Sequence, residues 1–321
     1  MAVNLLDLQP SVINKSLSGK TILLAGQPKI GKSEWCATSP RTLIFDLENG
    51  YNAHPGVYKV SVTKWSDIKM YLQQLKKEEL KERYDNVAFD TISVAWDLCT
   101  QFICAQNGVN KIGEIPYGAG YKARDDEFAN TLRSFIMLDY GLILTCHIKE
   151  TTVGTKDDVD IIALRPDLDK RCLPIVNSLV DVIGVIQQTW DENGQSQRWL
   201  LTKATPTITA GSRWAHLDPK IPFGYKYLEE AIIRAIDAEA EAGATVTTTA
   251  PTKEITRPFE ETVEEGRKLW EKLVGEKDEQ ENATKIIKIV TQIFGHPVKL
   301  SEITSEQQDL FELVILEMRN M

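Results

Sequence analysis

Apolar positions fall into two rhythms along the chain. The runs TILLA at 21–25, TLIFDL at 42–47, VAFDTI at 87–92 and LILTCH at 142–147 are almost continuously apolar, as strands of a sheet covered on both faces should be. Between them, WSDIKMYLQQLKKEELKERY at 65–84 and DDEFANTLRSFIMLDY at 125–140 repeat apolar residues at helical spacing and keep charges on the outer face. Strands alternating with helices predict an α/β domain with a mostly parallel sheet flanked by helices. Two later runs, VDVIGVIQ at 180–187 and QRWLLTKA at 197–204, flank a turn containing Asn193-Gly194, which predicts a β-hairpin.

Around 240–257 the periodicity disappears and Ala, Thr and Pro accumulate, the composition of a linker. Beyond it, 258–274, 283–294 and 304–319 read as three amphipathic helices. Gly295-His296-Pro297 ends the second, and Thr304-Ser305-Glu306-Gln307 opens the third as its N-terminal cap. The expected organisation is a core over 1–240, a linker over 241–257 and a small helical bundle over 258–321.

Composition refines this picture. Hydrophobic residues make up 42% and charged residues 26% of 321 positions, as in a soluble globular protein. No run reaches the ~20 apolar residues of a membrane span and no signal-like segment opens the sequence, so a cytoplasmic protein without a membrane partner is expected. The five cysteines form no C-x-x-C pair and the four histidines are scattered, which argues for reduced thiols and against structural zinc. The net charge of −9 is uneven: residues 237–321 carry 10 Lys+Arg against 18 Asp+Glu, and residues 1–236 carry 27 against 28. The acidity belongs to the tail, so overall charge does not exclude a polyanion from the first part.

The chemistry is concentrated where the first strand ends. Gly26-Gln27-Pro28-Lys29-Ile30-Gly31-Lys32-Ser33 fits the phosphate-binding loop G-x-x-x-x-G-K-[ST], followed by Glu34. Such glycines let backbone N–H groups turn inward around phosphates. Lys32 then reaches the β and γ oxygens, Ser33 offers a hydroxyl to Mg²⁺, and the helix presents its N-terminus. ATP and Mg²⁺ are the expected ligands. Asp90, closing the strand NVAFD, is the carboxylate expected in the Mg²⁺ shell through water; a strand-ending Asp that caps the next helix reads the same way. Residue 91 is Thr, not Glu, so a water-activating carboxylate directly after Asp90 is absent. The donor expected instead is Glu48 in TLIFDLENG, two residues from Asp46 and on the same side of an extended chain. ENG is also good turn chemistry, and a solvated acidic turn fits the same residues.

Together the P-loop, a D-x-E at the end of the second strand, Asp90-Thr91 and a polar residue closing LILTCH resemble a RecA-like ATPase. RecA has Asp-Ala-Glu where this chain has Asp46-Leu47-Glu48, the Glu being the catalytic base. It has a γ-phosphate-sensing Gln where this chain has His147. FDTIS, YGAGY and TCHIKE narrow the resemblance to the RecA-like, AAA-type nucleotide-binding ATPases of bacteriophages that act in single-strand annealing recombination. It spans roughly 18–236 and implies a RecA-like P-loop core with Glu48, Lys32, Asp90 and His147 as catalytic residues. A histidine in that place also fits a plain hydrogen bond to neighbouring backbone.

The resemblance further implies ATP hydrolysis, self-association as a ring or filament, and action on single-stranded DNA. Segment 108–124 carries Lys111, Lys122 and Arg124 among Tyr117 and Tyr121, cations and aromatic faces suited to a single strand. Segment 149–171, read as a long loop, carries five aspartates that would repel one. Lys203 and Arg213 stand where related filaments insert cations into a neighbour's ATP site. The acidic tail is expected to dock a single-strand-binding or replisome protein. The competing reading is an ATPase that loads or remodels a protein without touching DNA.

Overall fold

In the computed structural model, residues 13–14, 17, 19–154, 160–241, 246–247, 258–274 and 279–321 are described. The chain divides into two compact units, Met1–Pro251 and Thr252–Met321. Of the linker expected at 241–257, only Glu241 and Val246–Thr247 fall within the described residues.

The first unit is built on a nine-stranded sheet. Its strands are β1 (Thr21–Ala25), β2 (Thr42–Asp46), β3 (Tyr58–Ser61), β4 (Asn86–Asp90) and β5 (Gly141–Cys146), then, after a separate hairpin β6 (Ile148–Gly154) and β7 (Asp160–Pro166), β8 (Val182–Trp190), β9 (Ser196–Leu201), β10 (Gly211–Ser212) and β11 (Lys220–Pro222). Their order is β11-β9-β8-β1-β5-β4-β2-β3, with β10 beside β8. The six strands from β8 to β3 run parallel, and β9, β10 and β11 are antiparallel additions at one edge. The expected α/β fold, a mostly parallel sheet flanked by helices, is the one observed.

The continuous apolar runs have the expected cause. On one face Leu23, Phe45, Phe89 and Leu144 meet α2 (Trp65–Gln74), α4 (Ile92–Gln106), α5 (Ala119–Met137) and α6 (Cys172–Leu179) through Ile68, Cys99, Phe135 and Val176. On the other, Ile22, Leu24, Ile44 and Ile143 meet α1 (Lys32–Thr38) and α7 (Tyr225–Glu241) through Trp35, Leu228 and Ile232. All five cysteines are buried and free, and the described residues hold no cluster able to bind a metal through His, Cys, Asp and Glu alone.

Three elements differ from expectation. The helix expected over 65–84 is two helices, α2 and α3 (Glu78–Arg83). Leu75 between them is buried, and its carbonyl accepts a hydrogen bond from the buried Tyr140 hydroxyl at 2.9 Å. The segment 149–171 is no loop over most of its length: β6 and β7 pair antiparallel from Ile148–Pro166 to Gly154–Asp160. Thr151-Thr152-Val153 and Ile161-Ile162 supply β-branched residues that favour strands, a signal the aspartates obscured. Helix α5 begins at Ala119, earlier than expected, because Gly118 at φ +70° turns the chain into it.

Asp46 explains a strand end that sequence reading assigned to chemistry. It is buried, and Lys59 of the neighbouring β3 pairs with it at 2.8 Å while the Gly50 N–H donates to its other oxygen at 3.0 Å. Removing the cation would leave a buried carboxylate unpaired. Lys59→Met is therefore expected to lower folding stability by about 3 kcal/mol, read as the shift in a urea unfolding midpoint. A loss within error would show that water reaches Asp46.

Among the described residues, the second unit holds three α-helices, α8 (Phe259–Val274), α9 (Glu279–Phe294) and α10 (Gln308–Arg319). Their core is Ile286, Val290, Phe294, Phe311, Val314 and Met318. Gly266 lies against the Phe311 ring, where a Cβ would collide. The Thr304 N–H bonds Gln307 Oε1 at 3.1 Å, and this capped turn leads into α10. No helix among the described residues is long and apolar enough to cross a membrane.

Candidate nucleotide-binding site

The strand order gathers the chemistry before any side chain is considered. β5 lies between the P-loop strand β1 and the Asp90 strand β4, and β2 follows β4. In a parallel sheet all these strands end on one edge, where ligands bind. His147, Asp90 and Glu48 follow or end those strands, on the same side of the P-loop.

The P-loop leaves β1 after Ala25 and enters α1 at Lys32. Gly31 has φ +114°, and a Cβ there would strike the Arg198 guanidinium, so the position requires glycine. Gln27, Pro28 and Lys29 are exposed, whereas Ile30 packs inward. Lys32 is buried. Its Nζ donates to the Gly26 carbonyl at 3.0 Å and the Gln27 carbonyl at 2.9 Å, and it faces His147 Nδ1 at 3.3 Å. Burial lowers its pKa from the ordinary lysine value, an effect opposed by the negative charge of Asp90. An ammonium can only donate, so Nδ1 accepts and the imidazole proton sits on Nε2. That nitrogen is 4.0 Å from Glu48 Oε1.

Both oxygens of the Asp90 carboxylate are engaged. Its Oδ2 accepts from Ser33 Oγ at 2.7 Å and from the Tyr51 hydroxyl at 2.7 Å, and its Oδ1 accepts from Thr145 Oγ1 at 2.6 Å. Burial pushes the Tyr51 phenol far up, so it stays protonated and donates. Ser33 and Asp90 place two hard oxygen donors side by side at the start of α1, a pairing that suits Mg²⁺ with most of its water shell retained. Bound there beside phosphates, Mg²⁺ would neutralise charge on their oxygens. Glu48 is held separately: the Thr91 hydroxyl donates to its Oε1 at 2.8 Å. The residue standing where a carboxylate is absent thus fixes the carboxylate of the next strand.

Sequence reading missed Tyr51, Thr145 and Thr91 as supports, and Arg198. Thr145, a polar residue inside a buried strand, was the available signal, because such a group needs a partner. Arg198 reaches across from β9. It donates to the Ile30 carbonyl at 3.1 Å and pairs with Glu34 at 2.6 Å, so Glu34 turns outward from the phosphate loop.

The other nominated residues lie apart from this site. Lys111 is exposed, and Tyr117 is fully exposed at φ +56° on a turn before α5. Lys122 pairs with Asp126 at 2.6 Å. Arg124 is not available to a phosphate: it is 5% exposed, stacked 3.9 Å above the Trp96 ring and bonded to Asp125 at 3.0 Å. An indole face and a carboxylate make a buried guanidinium tolerable, and its place on the inner side of α5 dictates them. Tyr121 lies near both Arg124 and Arg171, at 5.6 and 5.5 Å. Arg213 is engaged within its own chain by Asp181 at 3.1 Å and the Ser178 carbonyl at 3.1 Å. Lys203 is exposed beyond the end of β9.

Over its full length the chain is 26% identical to the SPbeta prophage-derived uncharacterized protein YorG of Bacillus subtilis strain 168, covering 99% of that protein. Solved structures that it matches include the flagellar accessory protein FlaH from Methanocaldococcus jannaschii, with 14% identity and a TM-score of 0.36 over 64% of this chain and 85% of that one. A KaiC-like protein from Pyrococcus horikoshii OT3 matches at 12% identity and a TM-score of 0.32 over the same shares. Residues 18–214 match the AAA domain family, and with its P-loop, Asp90 and Glu48 inside that span, the chain belongs to the AAA domain family.

Proposed function

We propose that the protein is an ATPase that acts in DNA recombination on single-stranded DNA, assembling on the strand with ATP bound and leaving it after hydrolysis. The observation that carries the ATPase reading is the convergence of Lys32, His147, Glu48, Asp90 and Ser33 at one edge of the sheet. Lys32 takes the β and γ oxygens in place of the Gly26 and Gln27 carbonyls. Water attacks the γ-phosphorus, the bond to the ADP oxygen breaks, and Glu48, oriented by Thr91, takes the proton of the water. His147, between Lys32 and Glu48, registers whether the γ-phosphate is present.

The recombination reading rests on the resemblance to phage RecA-like ATPases, on the prophage origin of the Bacillus relative and on the exposure of both Lys111 and Tyr117 in the segment before α5. We place the protein in a bacterial host's cytoplasm, self-associated as a ring or filament, with the acidic C-terminal unit contacting a single-strand-binding or replisome protein. Burial of Arg124 and pairing of Lys122 favour a second reading, an ATPase that remodels a protein partner. The test is ATP turnover with and without single-stranded DNA, alongside Tyr117→Ala. Stimulation by DNA that Tyr117→Ala removes is expected; no stimulation and no binding at low salt would leave the second reading.

A further inference from the structure

The strand order separates the two ends of the nucleotide. Apart from Lys32 and Ser33 of the P-loop itself, the groups placed at the γ-phosphate, His147, Asp90 and Glu48, come from the ends of β5, β4 and β2, on one side of β1. The nucleoside must then leave the P-loop toward the other side, where β8 and β9 stand. β8 pairs with β1 from Val182 to Val185, opposite Ile22 to Ala25, and then runs on past the P-loop strand to Trp190. With β9 it forms a hairpin whose register pairs Ile186 with Leu200, Gln188 with Arg198 and Trp190 with Ser196.

These three pairs share one face of the hairpin, because residues alternate between faces. That face looks onto the P-loop, as three contacts show. Ile186 and Leu200 belong to the core shared with Ile30 and α1. A Cβ on Gly26 would touch Ile186. Arg198 bonds the Ile30 carbonyl and Glu34 while lying 4.6 Å above the Phe223 ring, which packs on Trp35. One pleat beyond, roughly 7 Å further along the strand, stands Trp190, 68% exposed. A large indole left open at such a place has an aromatic face and no described core to fill. Gln188 and Ser196, bonded to each other at 2.6 Å, offer polar groups between the guanidinium and the indole.

We infer that the inner face of the β8–β9 hairpin is the nucleobase site, with Trp190 as the stacking platform for a purine and Gln188 with Ser196 at the base edge. Arg198 closes the phosphate-side end of that face and ties it to the P-loop helix. This inference rests on the ATP-binding reading of the P-loop and adds to it where the base goes and what holds it. Stacking of a base on an aromatic side chain is sequence-tolerant and of moderate strength, so the platform supplies affinity and the edge groups supply choice.

The experiment is isothermal titration of the full chain with ADP and, separately, with inorganic tripolyphosphate, which has no base. Trp190→Ala is expected to weaken ADP on the order of tenfold and to leave tripolyphosphate unchanged, while Trp190→Phe retains most of the ADP affinity. Because Trp190 is exposed, a circular dichroism spectrum equal to that of the unmodified chain accompanies the variant. Equal affinities for ADP in Trp190→Ala and the unmodified chain, or equal losses for both ligands, overturn the inference. Failure of the underlying P-loop reading looks different: the unmodified chain would bind neither ligand.

Discussion

Glu48→Gln is expected to lower ATP turnover by roughly a hundredfold to ten-thousandfold and to leave ATP binding almost unchanged. The amide keeps the shape of the side chain and can still accept the Thr91 hydrogen bond that fixes Glu48 Oε1. It cannot take a proton from water. Binding depends on the P-loop, whose contacts do not include Glu48, so affinity and turnover should separate cleanly. Single-turnover hydrolysis together with nucleotide titration checks both halves. Turnover within threefold of the unmodified chain would move the base elsewhere, and a parallel loss of affinity would make Glu48 a binding residue.

Lys32→Ala is expected to act at the earlier step, raising the Kd for ATP by roughly a hundredfold or more, since several charge-assisted hydrogen bonds to phosphate disappear at once. The fold should survive, because the Gly26 carbonyl and the Gln27 carbonyl at the loop surface can turn to water or to ligand. The charge of Lys32 also gives a pH signature. Burial lowers its pKa in the folded, unliganded chain, so the ammonium is lost at lower pH than for an ordinary lysine near about 10.4. ATP affinity should fall as pH rises through that lowered value. Stability of the unliganded chain should move the other way. The folded state binds fewer protons than the unfolded state between the two pKa values, so raising pH across that window favours folding. Opposite trends in titration and in unfolding experiments would identify Lys32 as the titrating group, and Lys32→Arg should flatten both. Affinity rising with pH would contradict the assignment.

How much of this was legible in the sequence depends on the range over which each residue finds its partner. The parallel sheet could be read because burial on both faces leaves a local mark, four runs without alternation. Glu48 and His147 could be read because each follows a strand end, and strand ends converge in this fold class. Tyr51 could not. It follows ENG, reads as part of a turn, and meets Asp90 only because β2 and β4 are neighbours. The same holds for Asp46: its proximity to Glu48 suggested shared chemistry, but its partner is Lys59 on the adjacent β3, a strand too short and too polar to announce itself. Arg124 shows the opposite error. A cation among tyrosines suggested an exposed polyanion site, whereas helix periodicity turned it inward onto Trp96. Charge alone does not say which way a side chain faces.

The hairpin that follows His147 has a mechanical consequence. β6 starts at the next residue, and the Asp167 N–H after β7 bonds back to the His147 carbonyl at 2.8 Å; β7 is tied again at Leu164, whose N–H donates to the Thr207 carbonyl at 2.7 Å and whose carbonyl accepts from the Thr209 N–H at 3.2 Å. Seven paired residues give an arm of about 23 Å. A displacement of His147 would therefore be felt along β6, β7 and the 205–209 segment together, so the polar strand end beside Lys32 is coupled to a hairpin that extends well away from it.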